Sequence, residues 1–289
     1  MARPVWIAEH MSNRLMRELL PVRKTHTHKG DYGKVLLLCG SEGLTGAARL
    51  AAKAALRAGS GLVYLGVPEK VYPIVAAGAG SEIVFPLPCD EEGRLCLSSF
   101  EPILEKLFGM DAVLFGPGVG RSEELTKLTE KLLFSCRVPL VLDADGINAL
   151  EGHIDILRGA TCPIVLTPHD GEYRRMGGNP KSDDRVLDAI QMAERTGAVI
   201  LLKGHRTIIT DGLAVYRNLT GNPGMATGGS GDVLAGILVS LLGQHIMPLE
   251  AAAAAAWIHG AAGDLAATEI GQYGLLPEDI LSRIPRLLY

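Results

Sequence analysis

The chain has 289 residues, of which 47% are hydrophobic, so it can bury a large core and is not an intrinsically disordered protein. Its 28 basic and 32 acidic residues nearly balance, at a net charge of −4 and without a basic run, which excludes a strongly basic nucleic-acid surface. Glycine and proline, at 35 and 16 residues, exceed their usual combined share of roughly 12%, but no Gly-x-y period or low-complexity tract contains them, so collagen-like and linker proteins are excluded too.

Short aliphatic runs alternate with helical patterns along most of the chain. A continuous apolar run is typical of a strand buried on both faces, and its alternation with helices predicts βαβ units. We therefore predict an α/β fold with a mostly parallel central sheet and helices on both faces. It forms a single domain, residues 31–289, after an N-terminal appended segment, residues 1–30. The predicted strands cover residues 34–39, 62–67, 112–116, 139–143, 164–167, 198–203 and 207–210, and the predicted helices cover residues 46–58, 122–134, 184–196, 232–242 and 249–267.

The alanine-rich segment 249–268 is the part of the chain that most resembles a membrane span. It carries Glu250, His259 and Asp264, and alanine is only weakly hydrophobic, so a buried helix is predicted instead. The N-terminal residues lack the apolar stretch of a signal peptide, and the five cysteines are an odd number without a CxxC pair. We expect a cytoplasmic protein without a membrane or nucleic-acid partner.

Most of the glycine surplus lies in three clusters beside predicted strand ends or a helix start. These clusters are residues 40–46, 116–120 and 221–232. In open parallel sheets, ligands bind beyond the carboxyl ends of the strands, where backbone without side chains can approach them closely. The clusters therefore indicate where a ligand binds, but not which ligand it is.

The segment TGGSGD, Thr227 to Asp232, runs directly into the predicted helix 232–242. A glycine-rich loop at a helix start exposes unpaired N–H groups, and the helix dipole adds partial positive charge, so this geometry binds phosphate. Asp232 is then a candidate base beside the anion site, close to a substrate hydroxyl. The alternative is a flexible loop in which Asp232 is an ordinary first-turn acid. The pattern is not a Walker A loop, because no GK[ST] follows.

Four other motifs allow both a functional and a structural interpretation. Lys203 in KGHRT ends a predicted strand and can reach a phosphate, or the motif is a hairpin turn. His169 in TPHDGE can bind a polar ligand at the sheet edge, or it serves the structure beside an acid that caps the next helix. DADGIN, residues 143–148, offers a metal–phosphate contact or an orienting network, or else an N-cap and a turn. GPGVG, residues 116–120, leaves a ligand room against bare backbone or forms a common turn.

Taken together, these motifs resemble one family, the ADP-dependent NAD(P)H-hydrate dehydratases of the ribokinase-like superfamily. The resemblance extends over nearly all of the chain from about residue 28 onward. The ordered set is specific, whereas GSGD alone fits any ribokinase-like enzyme. The motifs that carry it, in the order of the family, are HKGDYGKVLLLCGSEGLTGAARLAAKAALRAGSGLV, GPGVG, VLDADGINAL, LTPHDGE, LLKGHRTIIT and NPGMATGGSGDVLAGIL.

The resemblance implies a reaction and a set of site residues. Family members restore NADH or NADPH from NADHX or NADPHX, in which the nicotinamide ring is hydrated at C6. ADP, or ATP in eukaryotic members, phosphorylates the hydroxyl, which is then lost as phosphate. By this resemblance, Asp232 contacts the substrate and is the catalytic base that activates the C6 hydroxyl. The other implied substrate-binding residues are Ala47, Gly118, Gly120 and His169, and the implied nucleotide-binding residues are Lys203, Gly204, His205, Arg206, Thr207, Gly229 and Gly231.

The resemblance also implies cofactors and partners. ADP or ATP is the phosphoryl donor, together with Mg²⁺, whose ligands the sequence does not assign. Some family members carry a preceding epimerase domain, and the roughly 30 residues before the first predicted strand are too few for one. We therefore expect a stand-alone dehydratase that acts on the S epimer. Family members tend to be tetramers, so a homotetramer is expected.

Two other functions compete with this interpretation. A ribokinase-like kinase of a small vitamin precursor shares GSGD, but it does not need TPHDGE, KGHRT and HKGDYG in combination. A non-catalytic nucleotide-binding module is the second alternative. Asp232 argues against it, because a carboxylate beside a phosphate gives a pure binder no advantage.

Overall fold

The computed structural model of the protein describes residues 6–8, 18–20 and 22–288. Within these residues, ten strands form one sheet. In chain order they are β1 (Trp6–Ala8), β2 (Lys34–Leu38), β3 (Leu62–Pro68), β4 (Ile83–Leu87), β5 (Ala112–Phe115), β6 (Leu140–Leu142), β7 (Ile164–Leu166), β8 (Val199–Leu202), β9 (Ile208–Thr210) and β10 (Ala214–Arg217). Their spatial order is β1-β10-β9-β8-β7-β6-β5-β2-β3-β4, and every neighbouring pair is parallel except the two that involve β9.

The helices that cover the sheet lie mostly between consecutive strands. Those of the described residues are α1 (Thr45–Arg57), α2 (Tyr72–Ala77), α3 (Phe100–Leu107), α4 (Glu123–Ser135), α5 (Asp145–Asn148), α6 (Asp170–Arg175), α7 (Arg185–Thr196), α8 (Ser230–Gly243), α9 (Pro248–Ile270) and α10 (Pro277–Arg283).

Both faces of the sheet are buried by helices, as the continuous apolar strands predict. Residues 35–38 of β2 are fully buried, with side chains alternating between two separate cores. One core contains the alanine-rich faces of α1 and α9 together with the aliphatic side chains of α8. The other contains larger side chains from α3, α4 and α7. The predicted α/β fold, with a mostly parallel sheet covered on both faces, is confirmed.

Small residues let the helices of the first core pack very closely. A β-carbon added at Gly236 in α8 would overlap the carbonyl oxygen of Ala51 in α1, so only glycine fits there. The alanine run 251–256 is buried within α9, as predicted for that segment. None of the helices described is long and apolar enough to cross a membrane.

Three strands, β1, β4 and β10, and several short helices were not predicted. Strand β4 contains Pro86 and is only partly buried, so it lacks the continuous apolar pattern of the inner strands. Strand β10 is short and ends in an exposed arginine, Arg217. Neither was predicted, and the four-residue α5 and seven-residue α10 were also missed because so few residues carry little periodicity.

Strand β1 lies in the segment 1–30, which was predicted to be an appendage. It pairs with β10 and continues the sheet, so this part of the segment joins the main domain. Residues 1–5, 9–17 and 21 of the segment lie outside the described residues. The domain boundary itself stays a prediction.

The order of the strands creates a crevice beside β2. The chain moves outward from β2 through β3 to β4, and then returns to place β5 on the other side of β2. Loops that leave β2 and β5 must therefore diverge at this point, and ligands of such sheets bind in the gap between them. The gap is framed by two glycine clusters, residues 40–46 and 116–120, which are joined by a hydrogen bond from Gly40 N to Pro117 O (2.8 Å).

Candidate active site

The carboxyl edge of the sheet gathers residues from several strands. Asp143 follows β6, His169 follows β7 and Lys203 follows β8. Because these strands are adjacent and parallel, their ends meet along one edge. The start of α8, which carries Asp232, reaches the same place.

The first turn of α8 has the form of an anion site. Its N-cap, Gly229, has the left-handed φ of 94°, and no side chain caps the helix. The first-turn N–H groups of such a helix have no intrahelical acceptor and carry the positive end of the dipole. Ser230 Oγ is buried in the same turn and has no hydrogen-bond partner in the described chain. A bound anion would give these groups an acceptor.

Lys203 extends to this helix start. A β-carbon added at Gly231 would lie 3.5 Å from Lys203 Nζ, so the ammonium group stands beside the first turn of α8. It donates to Asp143 Oδ1 at 2.9 Å and lies 3.7 Å from Glu172 Oε2. Burial by itself lowers the pKa of Lys203, but the charges of Asp143 and Glu172 outweigh burial and hold the pKa above its ordinary value. The lysine therefore stays charged.

Asp232 is the one carboxylate of this group without a partner in the described chain: no hydrogen bond or ion pair reaches its side chain there. Burial and the nearby charges of Asp143 and Asp145 raise its pKa, Lys203 opposes them, and the net result is a pKa of about 7. A carboxylate with a pKa near 7 and no partner is suited to take a proton from a substrate hydroxyl. The position predicted for the base thus has the electrostatics of one.

The KGHRT motif forms the hairpin turn between β8 and β9, and its lysine also reaches the helix start. The hairpin interpretation is confirmed, and the contact of Lys203 with a phosphate stays a prediction. Arg185 in α7 donates to the carbonyl oxygen of Lys203 at 2.8 Å and anchors the turn. Residues 204–206 are exposed, and Arg206 adopts a φ of 58°, which is uncommon for a residue with a side chain. Their predicted contacts with a nucleotide stay a prediction, as does that of Thr207.

His169 serves the structure in a way that the sequence only half indicates. It is the N-cap of α6, and its Nδ1 accepts from the N–H groups of Gly171 (2.9 Å) and Glu172 (3.3 Å). Its Nε2 lies 3.1 Å from Glu172 Oε1. Both ring nitrogens therefore have partners within α6, and a polar ligand has to bind another part of the ring or displace Glu172. The substrate role of His169 stays a prediction.

The residues predicted to line the substrate site on the other side lie together in the crevice. A β-carbon added at Gly118 would lie 3.0 Å from Ala47 Cβ, so the start of α1 and the GPGVG loop are in contact. Ser41 Oγ donates to the carbonyl oxygen of Gly118 at 2.8 Å, and Gly120 N donates to Asp145 Oδ2 at 3.0 Å. The loop is thus fixed from both sides, and its contact with a substrate stays a prediction.

DADGIN provides an orienting network. Asp143 pairs with Lys203, and Asp145 holds the GPGVG loop and also accepts from Asn148 Nδ2 at 3.0 Å. Two further residues join it without having been predicted: Thr167, which donates to Asp143 Oδ1 at 2.6 Å, and Glu172. In the sequence, Thr167 is indicated only because it directly follows a buried strand, and Glu172 only because it lies in the first turn of the helix after that strand.

The carboxylates do not form a cage for a metal ion. In the residues that the structure describes, no group of three or more His, Cys, Asp or Glu side chains is arranged to hold one. Mg²⁺ is usually held by one or two carboxylates together with substrate phosphates and water, rather than by an all-protein site. The donor set therefore fits a magnesium ion that would arrive with a nucleotide.

Comparison with known proteins assigns the chain to a family. The model of the NAD(P)H-hydrate dehydratase family matches residues 35–286. The chain belongs to this family. The match includes every residue that we predicted for the site, from Ala47 to Asp232.

Two curated relatives show how far the similarity extends. The bifunctional NAD(P)H-hydrate repair enzyme Nnr of Moorella thermoacetica is 45% identical over 290 residues, which cover 97% of this chain and 54% of that protein. The enzyme of the same name from Escherichia coli is 36% identical over 289 residues, covering 98% and 52%. The chain thus spans about half the length of the curated relatives it matches.

Solved structures bear out the ribokinase-like fold of this dehydratase-family chain. An ADP/ATP-dependent NAD(P)H-hydrate dehydratase from Bacillus subtilis, co-crystallised with ATP/Mg²⁺, has a TM-score of 0.83 and 30% identity, covering 99% of this chain and 98% of that one. A ribokinase-like superfamily protein from Enterococcus faecalis also has a TM-score of 0.83, with 26% identity and coverage of 98% and 95%. A hydroxyethylthiazole kinase from Pyrococcus horikoshii, at 17% identity, a TM-score of 0.63 and coverage of 94% and 93%, shares the fold alone.

Proposed function

We propose that this chain dehydrates (S)-NADHX and (S)-NADPHX to NADH and NADPH, with ADP or ATP as the phosphoryl donor. The observation that carries the proposal is the juxtaposition at the start of α8. There, the Lys203 ammonium stands beside an uncapped helix N-terminus, next to the unpaired carboxylate of Asp232. An anion site beside a base is what phosphoryl transfer to a hydroxyl requires. Membership of the dehydratase family, and the Bacillus subtilis relative co-crystallised with ATP/Mg²⁺, support this choice of substrates.

The arrangement suggests how the chain performs the phosphoryl transfer. Residues 203–207, Gly229 and Gly231 hold the nucleotide phosphates, and the crevice lined by Ala47, Gly118 and Gly120, with His169 at its edge, holds the nicotinamide ring. Asp232 accepts the proton of the C6 hydroxyl as its oxygen attacks the terminal phosphoryl group. The bond from that phosphorus to the nucleotide breaks, and ADP leaves as AMP, or ATP as ADP.

Loss of phosphate then completes the dehydration. The C6–O bond breaks and its electron pair leaves with the phosphate, while the lone pair of the ring nitrogen stabilises the positive charge left at C6. Transfer of a proton from C5 to the departing phosphate or to water forms the C5–C6 double bond of NADH. The chain's own contribution is positioning and charge neutralisation by Lys203 and the start of α8, and a Mg²⁺ ion that came with the nucleotide would neutralise further phosphate charge.

The proposal extends to the setting of the enzyme. Its substrates are damaged forms of NADH and NADPH, so we place it in the cytoplasm with those cofactors. We also propose a homotetramer, following the family resemblance. Light scattering on the purified chain measures its mass directly, and a monomer of 30.7 kDa would contradict this part.

The reaction is tested by restoring NADH from its hydrate. Purified protein mixed with NADHX, Mg²⁺ and either ADP or ATP is expected to regenerate the near-ultraviolet absorbance of NADH, because the hydrate lacks the C5–C6 double bond. Asp232→Asn is expected to abolish turnover while nucleotide still binds, since the backbone anion site is unchanged. The matched control is Asp155→Asn, which removes an exposed carboxylate paired with Arg195 far from the site.

The outcomes separate the candidate functions. Recovery with only one nucleotide identifies the phosphoryl donor. The absence of recovery with both would contradict the proposal. Phosphorylation of a vitamin-precursor alcohol in that case would identify a kinase instead. Near-normal turnover by Asp232→Asn would place the base elsewhere.

A further inference from the structure

The carboxylates near the start of α8 differ in how closely they approach the Lys203 ammonium group. Asp143 and Asp232 both lie close enough to Lys203 to influence its charge. Only Asp143 bonds to it, at 2.9 Å, and Glu172 stands second at 3.7 Å. Asp232 lies beyond ion-pair distance, and no other cation of the described residues pairs with it. Of the three carboxylates around this ammonium group, Asp143 therefore holds it, Glu172 is second, and Asp232 does not pair with it.

Asp143 is fixed in place by contacts on several sides. Its side chain is only 2% exposed. Oδ1, the oxygen that bonds Lys203, also accepts from Thr167 Oγ1 at 2.6 Å. Its backbone is held between Phe115, whose carbonyl oxygen accepts from Asp143 N at 3.2 Å, and Gly146, whose N–H donates to Asp143 O at 2.9 Å. The position of the Lys203 ammonium is therefore determined by a carboxylate that cannot easily move.

We propose that Asp143 is a positioning residue, which holds the Lys203 ammonium at the start of α8 and away from Asp232, so that Asp232 stays free to accept the substrate proton. The inference rests on the proposed function, because the proton that Asp232 accepts is that of the substrate hydroxyl. Asp143 itself does not contact the substrate and acts only through Lys203.

The physical reason is the cost of pairing a base with a cation. If Lys203 bonded directly to Asp232, the ion pair would stabilise the carboxylate, lower its pKa and weaken it as a proton acceptor. With Lys203 bonded to Asp143, the negative charge of Asp143 instead raises the pKa of Asp232, and burial acts in the same direction. Neutralising Asp143 removes that repulsion and frees the lysine for Asp232. Both changes lower the pKa of Asp232.

Other charged or titratable groups near this cluster come from four parts of the fold. They are Cys39 after β2, Asp145 in α5, Glu172 in α6 and His259 in α9. Burial keeps Cys39 and His259 neutral near pH 7, by raising the pKa of the thiol and lowering that of the imidazole to about 4. Asp145 influences Asp232 less than Asp143 does, and Glu172 stands next to Lys203. Asp143 is therefore the group whose removal is expected to change Asp232 most.

The test is Asp143→Asn, in which the amide oxygen can still accept from Thr167. The acid limb of the pH profile of kcat/KM is expected to move to lower pH by about one unit, because one neighbouring charge is removed and another is redirected. We also expect the KM for nucleotide to rise and kcat to fall by roughly tenfold or more, since the ammonium is no longer directed to the phosphate.

Two further variants separate charge from packing. Thr167→Val removes the hydrogen bond to Asp143 but keeps every charge, so its acid limb is expected to stay at the wild-type pH. Lys203→Met removes the ammonium, which lowers the pKa of Asp232 in the wild type, and is expected to raise that pKa. Opposite shifts in Asp143→Asn and Lys203→Met are a signature that loss of packing does not produce.

A readout without turnover keeps this inference separate from the proposed function. Carboxyl ¹³C NMR of protein labelled at aspartate, with the signal assigned through Asp232→Asn, follows the titration of Asp232 in each variant. If the wild-type protein does not repair NADHX but the two opposite shifts occur, the proposed function fails and the positioning by Asp143 stands. An Asp232 signal that titrates at the same pH in the wild type and in Asp143→Asn overturns the inference, whatever the activity.

Discussion

At the scale of single residues, the candidate site is built from groups that a fold chosen only for stability would avoid. Even a partly buried carboxylate without a partner is costly, because burial removes water from its charge. Asp232 is such a group, and its raised pKa of about 7 records that cost. Functional sites often store unfavourable electrostatics of this kind, since the same burial that costs stability makes the group reactive near neutral pH.

The cost predicts that Asp232→Asn is more stable than the wild type at alkaline pH. The folded-state pKa of Asp232 is raised from 3.8 to about 7, so the folded state binds this proton more tightly than the unfolded state. Wild-type stability therefore falls as the pH rises from about 4 to about 7, and the loss persists above pH 7. Asparagine cannot ionise and avoids the loss. We expect its free energy of unfolding at pH 8 to exceed that of the wild type by about 1–3 kcal/mol.

Urea denaturation at about pH 3 and at pH 8 measures this difference. The two proteins are expected to be nearly equally stable at about pH 3, which lies below both the unfolded-state pKa of 3.8 and the folded-state pKa of about 7, so that Asp232 is largely protonated in both states. Asp155→Asn is the control, because Asp155 is exposed and its pKa is lowered by Arg195 rather than raised. Equal stability of Asp232→Asn and the wild type at pH 8 would show that the carboxylate bears no burial cost.

At the scale of elements, the start of α8 is positioned by its close packing against α1. Glycine and alanine bring the two helices together over most of their length. The same contact fixes the first turn of α8 relative to the loop that precedes α1, so it sets the distance between the anion site and the crevice. Small residues here are therefore a requirement of the site as well as of the core.

Gly236→Ala is expected to destabilise the protein by about 1–3 kcal/mol through overpacking. The new methyl group would overlap the carbonyl oxygen of Ala51 and lie 2.7 Å from Ala54 Cβ, in a core with no room for either to move. The matched control is Gly46→Ala in the first turn of α1, where nothing lies within 4 Å of the added carbon. That change is expected to be neutral or stabilising by up to about 1 kcal/mol. Thermal unfolding of the two variants compares them, and a Gly236→Ala variant as stable as Gly46→Ala would contradict this account of the packing.

At the scale of the whole molecule, the candidate site joins segments that are far apart in the chain. Lys203 and Asp143 are 60 residues apart, and α8 follows after the hairpin of β8 and β9. A ligand that bridges them binds only the folded protein, and binding of this kind stabilises the fold.

We therefore expect ADP or ATP with Mg²⁺ to raise the melting temperature of the protein. At a nucleotide concentration of about 100 times Kd, the gain is roughly 2.7 kcal/mol, which corresponds to a shift of a few degrees in a chain of this size. Because the phosphates bind the α8 start and Lys203, adenosine without phosphates is expected to shift the melting temperature far less, and Lys203→Met is expected to reduce the shift by nucleotide. A shift by adenosine equal to that by ADP would place the binding energy outside the phosphate site.

The sequence by itself determined the features that are encoded locally. Buried strands such as β2 and β8 were predicted because a strand covered on both faces must be apolar throughout, and the glycine clusters indicated the functional edge because bare backbone is needed there. The resemblance of ordered motifs predicted the dehydratase family. Strands β4 and β10 escaped prediction, because a short strand with a proline or with polar ends has no distinctive pattern.

Only the tertiary structure decided which residues act together. Nothing near Lys203 in the sequence indicates that its partner is Asp143, because that contact exists only where β6, β7 and β8 lie side by side. In the same way, only the structure shows that His169 itself caps α6, with both of its ring nitrogens placed against that helix, whereas its contact with a substrate stays a prediction. The pKa of Asp232 follows from burial and from charges contributed by separate segments. The amino-acid sequence determines which functional groups are present, whereas the order of the strands in the sheet determines which of these groups come into contact.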